Sequence, residues 1–110
     1  MSAQLVLDTG AAMTTIAPRV ARALGYSARD RRRWSYVHSA IGQERGYVLR
    51  IARIEALGFA IDHFSVHVFD LGHDIDGLLG LDFLDHFNYE VRSAEGRILL
   101  EPLASAADPP

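Results

Sequence analysis

Apolar positions in this chain come in short blocks, and the spacing inside most blocks is that of strands. Leu5, Val6 and Leu7 have the β-branched and apolar character of a core strand. From Ile61 onward, Phe64, Val66 and Val68 alternate with His63, Ser65, His67 and Phe69, which predicts a strand with one buried and one partly wet face. Two extended runs, "WSYVHSA" from Trp34 and "GYVLRIARI" from Gly46, flank "IGQER" and predict a β-hairpin with an apolar, glycine-bearing tip. The segment "YEVRSAEGRILLEP" predicts two more strands around Ser93–Gly96.

Helical spacing is confined to two places. Pro18 suits a first turn, Val20, Ala21 and Leu24 recur at i, i+1 and i+4, and Gly25 suits a stop, so a short helix is expected over Ala17–Leu24. In "IDGLLGLDFLDHF" the apolar pair Leu78 and Leu79 meets Gly80, and Phe83, Leu84 and Phe87 then recur as in an amphipathic helix. A strand-to-helix turn at Gly80 follows. The fold class is therefore all-β with one or two short helices, in a single domain over residues 1–103. The remainder, "ASAADPP" at 104–110, is a tail not expected to order by itself.

Composition narrows the function classes. A chain of 110 residues is about one domain and buries roughly 65% of its unfolded surface. Its 49% hydrophobic and 23% charged residues and mean hydropathy of +0.06 fit a folded body. A net charge of -3 gives no general case for a nucleic-acid partner. The run "RDRRRW", Arg29 to Trp34, reads as a solvated loop or strand entrance, because Asp30 interrupts it and no aromatic interleaving follows. All 11 basic residues are Arg, which reads as coding bias. With no cysteine, disulfides and thiolate chemistry are excluded. The first residues, "MSAQLVLD", form neither a signal peptide nor a span. No membrane contact is expected within this chain, and a cytoplasmic location follows if it is complete; an upstream segment could supply an anchor.

Chemistry concentrates at "LVLDTGAAMTTIAP", Leu5 to Pro18. An ionised Asp8 directly after a buried strand is costly unless it is hydrogen-bonded. Gly10 lets the backbone turn tightly and present the carboxylate, and Thr9 can donate its hydroxyl nearby. Alone, Asp-x-Gly is also a common turn.

Taken with "ALGY", the hairpin containing "SAIGQERG", and "GLLGLDFLDHF", this stretch resembles in order and spacing the single-lobe retropepsin-like (clan AA) aspartic peptidases. The likeness runs from Leu5 to Pro102 and is greatest to the bacterial and cellular branch, whose LLG-x-D-F-L is met by "LLGLDFL". It implies a closed acid-protease-like β-barrel lobe with a flap hairpin over an extended peptide or protein substrate. By the same resemblance Asp8 is the catalytic residue, Thr9 and Gly10 support its loop, and Ala11 and Ala12 lie close to the substrate backbone. Ala40, Ile41 and Gly42 would form the flap, and Leu78, Leu79 and Gly80 would pack beside the catalytic loop. No cofactor is implied.

Amide hydrolysis needs a general base and a general acid, and two adjacent carboxylates sharing a proton supply both. The chain has one Asp-Thr-Gly; "DLG" at Asp70 and "DIDG" at Asp74 lack the hydroxyl residue. A homodimer is therefore expected, pairing Asp8 with its symmetry mate, and the resemblance implies that Thr9 bonds across the axis. The residues before Asp8 reach roughly 23 Å at about 3.3 Å per residue, enough for one strand and not for the preceding hairpin usual in the family. Together with the prolines of the tail, this predicts a dimer interface that is weak, altered or dependent on sequence outside this stretch. The alternative is a catalytically idle module of the same fold that dimerises or binds peptides.

Two other clusters carry less. His63 and His67, with Asp62 and His73 nearby in sequence, lie about 13 Å apart on a strand, too far to share one zinc ion at about 2.1 Å from each nitrogen. No metal site is expected. Asp74, Asp76, Asp82 and Asp85 lack the spacing of a calcium loop and read as solvated turns and helix-terminus charges.

Overall fold

In the computed structural model, residues 2–39, 42–72 and 74–103 are described. The alternation of apolar residues is realised in two long strands, β4 (Gly42–Ala56) and β5 (Phe59–Val68), paired antiparallel from Tyr47↔Val68 to Ala56↔Phe59. Leu49, Ile51, Phe64, Val66 and Val68 are buried on one face. Leu57 and Gly58 connect the strands, Leu57 at φ 53, in the left-handed region that a branched side chain resists. The turn starts β5 at Phe59, two residues before the expected Ile61.

Around this pair the other strands assemble into one six-stranded sheet. β1 (Leu5–Leu7), β2 (Thr15–Ile16), β3 (Arg33–Ser39) and β6 (Gly77–Leu79) give the order β1-β6-β2-β5-β4-β3. β7 (Phe87–Arg92) and β8 (Arg97–Pro102) form a separate hairpin, joined by a 3₁₀ turn at Ser93–Glu95 where two strands were expected to meet. The protein is mainly β with two short helices, as its sequence predicts. α1 (Pro18–Ala23) is one residue shorter at each end than expected, with Ala17 and Leu24 as its caps. α2 (Leu81–Leu84) ends before Phe87, which opens β7 and packs at 5.4 Å from the Phe83 ring.

The core lies between the helices and the concave side of the sheet. Val20 and Ala21 of α1, Phe83 of α2, and the buried strand residues form one cluster. Fully burying a side chain such as Phe83 or Leu49 contributes about 1.5–3 kcal/mol.

Two expectations are corrected. Val6 and Leu7 are 51% and 37% exposed, because β1 is an edge strand that pairs with β6 alone. The segment "IGQER" is not the hairpin loop: Gln43, Glu44 and Arg45 belong to β4 and pair with His38, Val37 and Tyr36. Beyond the core both faces of this hairpin meet water, so no apolar alternation marks the strand there. The two-residue strand β2 carries no period that a sequence could reveal. The tail at 104–110 lies outside the described residues, as does the hairpin tip at Ala40 and Ile41.

Candidate active site

The Asp8 loop hangs from a parallel strand pair. Leu5, Val6 and Leu7 register with Gly77, Leu78 and Leu79, and the Asp8 N–H continues that ladder to the Leu79 carbonyl at 3.0 Å. The chain then folds back on itself. The Gly10 N–H donates to Asp8 Oδ1 at 2.9 Å, and the Ala11 N–H to the Asp8 carbonyl at 3.1 Å. Asp8 is half-buried, while Thr9, Gly10 and Ala12 are exposed and Ala11 half-buried. A carboxylate is thus held by backbone at the surface, with one oxygen engaged by its own loop. The cost raised by placing Asp8 after an apolar strand is met by this bond and by partial solvation.

A second layer fixes the loop from beneath. Thr14 is completely buried. Its hydroxyl donates to Asp82 Oδ1 at 2.6 Å and accepts from the Gly80 N–H at 3.0 Å. The Asp82 carboxylate also accepts from the Thr14 N–H at 2.9 Å and from the Phe83 N–H at 2.9 Å. Leu81 and Asp82 donate their N–H groups to the carbonyls of Ala11 and Ala12. Gly80 allows this approach: a Cβ there would stand 2.8 Å from the Ala11 carbonyl oxygen and 3.0 Å from Thr14 N, both backbone. Leu78 is half-buried, and Leu79 and Gly80 are buried. The Leu78-Leu79-Gly80 segment and the Asp-Thr-Gly loop therefore lie together.

Thr14 and Asp82 were not singled out by sequence reasoning as part of the site. Asp82 is corrected from a solvated helix-terminus charge to a half-buried acceptor, and Asp76 from a turn residue to a fastening for the chain start. Asp76 accepts from the Gln4 N–H at 2.8 Å and from Arg19 at 2.6 Å. Those two bonds hold its carboxyl below the ordinary carboxylate range. The one legible signal was position: an Asp two residues after a glycine that ends a strand sits in the first turn of the next helix.

The long hairpin carries a second polar pair. Ser35 Oγ on β3 lies 2.6 Å from His67 Nε2 on β5, although β4 runs between them. Gly46 on β4 makes the gap, since a Cβ there would meet His67 Nε2 at 2.7 Å and Ser35 Oγ at 3.2 Å. Burial, and secondarily the Arg33 charge, lowers the imidazole pKa below its usual value. The His67 N–H donates to the Thr14 carbonyl, which ties β5 to the end of the Asp8 loop. Among the described residues no group of three His, Cys, Asp or Glu is placed to hold a metal ion, and His73 lies outside them. Of the expected flap residues, Gly42 is described, at φ 142 and paired with Ser39, while Ala40 and Ile41 are not.

A family model described as "gag-polyprotein putative aspartyl protease" matches residues 2–86 of the chain. The chain belongs to this family of retropepsin-like aspartic peptidases. The match spans both the Asp8 loop and the Leu78-Leu79-Gly80 segment beneath it. Two solved structures have the same fold. One is a retropepsin-like aspartic protease from Rickettsia conorii, at TM-score 0.69 and 20% identity, covering 89% of this chain and 71% of the other. The second is the retroviral protease-like domain of Ddi1 from Leishmania major, at TM-score 0.61 and 17% identity, covering 90% of this chain and 78% of the other. No curated protein sequence matches. At these identities the structures show a retropepsin-like fold. Among the described residues no helix is long and apolar enough to cross a membrane.

Proposed function

We propose that the chain is an aspartic endopeptidase that works as a homodimer, with Asp8 of each copy forming half of the catalytic pair. The observation that carries this reading is the Asp8 carboxylate itself, presented at the surface on a loop fastened by backbone bonds and by the buried Thr14–Asp82 contact. Two carboxylates held close cannot both ionise cheaply, so they share one proton. The ionised partner takes a proton from water as the water oxygen attacks the peptide carbonyl carbon. The protonated partner gives its proton to the carbonyl oxygen. Return of a proton to the amide nitrogen then breaks the C–N bond.

Other residues take supporting parts in this proposal. Thr9, exposed beside Asp8, would meet its symmetry mate across the axis. Exposed Val6 and Leu7 supply apolar area next to the loop. An extended substrate would lie along Ala11 and Ala12 and add backbone hydrogen bonds as a strand does. The β3–β4 hairpin, with Gly42 at its described end, would act as the flap and exclude water. The test is cleavage of an unstructured protein substrate by the purified chain and by Asp8→Asn. A homodimer of the variant lacks both catalytic carboxylates, which is expected to lower the rate at least about a hundredfold. Unchanged cleavage by Asp8→Asn would refute the reading. A dimer that binds peptides without any Asp8-dependent cleavage would instead favour an idle binding module.

A further inference from the structure

The segment that leads into the flap hairpin, with the adjoining part of β4, carries a concentration of positive charge that the proposed chemistry does not use. Residues 29–45 contain five arginines, Arg29, Arg31, Arg32, Arg33 and Arg45, against Asp30 and Glu44. Asp30 is already engaged, accepting the Ser27 N–H in a capping box. None of the five arginines forms an ion pair among the described residues, and all are exposed. Two of them are organised around Trp34: the Arg31 and Arg45 guanidinium carbons lie 4.2 Å and 3.9 Å from its ring centroid. Two like charges at that distance do not fit over one face, so each takes a face of the indole. Tyr47 closes the edge of the same ring at 6.1 Å.

Stacking fixes the plane of each guanidinium; Arg31 spends one Nη1 proton on the Ala28 carbonyl at 2.8 Å, and its remaining N–H groups together with the Arg45 fork are available to receive a carboxylate. The same stacking covers the faces of Trp34 on which a nucleobase would otherwise lie. Beside this clasp runs an unused sheet edge. β3 is the last strand of the six-stranded sheet, and no described strand pairs with its outer side. Arg33 on this strand, Arg31 and Arg32 just before it and Arg45 on β4 repel a second copy of the same edge and attract an acidic strand.

We infer that the outer edge of β3, with the Arg31–Trp34–Arg45 clasp, is a docking site for an acidic, extended polypeptide segment. The segment would add to β3 through its backbone and place carboxylates on the arginines. The site is separate from Asp8 and does not require cleavage.

Binding is measured on the full chain carrying Asp8→Asn, by fluorescence anisotropy of a labelled peptide rich in Glu and Asp. A Gln and Asn counterpart of equal length and a single-stranded oligonucleotide of equal charge serve as comparisons. The acidic peptide is expected to bind, and the neutral one to bind at least about tenfold more weakly, as expected for charge-assisted hydrogen bonds. Arg31→Gln with Arg45→Gln should lower the affinity for the acidic peptide by a similar factor at an unchanged circular dichroism spectrum. If those two changes unfold the chain, Arg31→Lys with Arg45→Lys is read instead; it keeps the charge and loses the fork, and weaker binding is again expected. No binding of the acidic peptide, equal binding of the oligonucleotide, or affinity unaffected by the arginine changes would each overturn the inference. Because binding is read on a protein without its Asp8 carboxylate, this result stands apart from the outcome for peptide cleavage.

Discussion

At the scale of single residues, the placement of Asp8 depends on a side chain that never reaches the surface. Thr14 gives one hydroxyl proton to Asp82 and takes one from the Gly80 N–H, all within a buried joint. Thr14→Val keeps the shape and leaves the Gly80 donor without an acceptor, which is expected to cost about 2–3 kcal/mol in denaturant unfolding. Thr14→Ser, which retains the hydroxyl, should recover most of that loss; equal destabilisation by both variants would show that packing and not hydrogen bonding sets the joint. Sequence reasoning reached Asp8, Gly10 and Leu78–Gly80 because a turn needs glycine and because their family motifs are contiguous. It missed the joint because Thr14 and Asp82 are distant in the chain, and a lone Thr or Asp reads equally well as solvated. Burial alone turns such residues into partners, and only the folded sheet supplies it.

At the scale of elements, the sequence was legible wherever a strand had one buried face. β5 follows its alternation from Phe64 to Val68, whereas the exposed Gly42–Arg45 end of β4 reads as a loop and β1 as a core strand. Polarity reports burial, and strand pairing at a wet edge leaves no trace in it. The Ser35–His67 contact across the buried Gly46 lies where the wet end of the hairpin meets the core, and makes the hairpin sensitive to pH. Burial and Arg33 favour the neutral imidazole in the folded state, so the unfolded chain binds the proton more readily. The stabilisation from this group is complete above the unfolded value of about 6.5 and is lost as pH falls below it toward the lower folded value. Urea unfolding at pH 5 and pH 8 should therefore show a larger pH dependence for the native chain than for His67→Gln. Asp76 acts in a separate window, since its folded value is lowered and its contribution declines only in the more acidic carboxylate range. Identical pH dependence in the native and His67→Gln proteins would remove His67 as the group responsible.

At the scale of the whole molecule, the proposed chemistry fixes how activity responds to concentration. One chain holds one Asp-Thr-Gly, so under the dimer proposal a monomer has no catalytic pair and the active fraction follows the association equilibrium. On dilution below the dissociation constant, the dimer concentration falls with the square of the total chain, and specific activity falls in proportion to concentration. The apolar area offered near Asp8 is small, chiefly Val6 and Leu7 on the β1 edge, so the transition is expected at accessible concentrations. Sedimentation velocity over the same dilution series should place the loss of the dimer where specific activity halves. Mixing native chain with excess Asp8→Asn gives a sharper form of the test. Heterodimers hold a single ionisable Asp8, so the mutant should inhibit in proportion to its share of the pairs while leaving substrate affinity unchanged. Constant specific activity across the dilution series, with a monomer in the centrifuge, would mean that any hydrolysis arises within one chain, and the pairing of Asp8 with its twin would have to be abandoned.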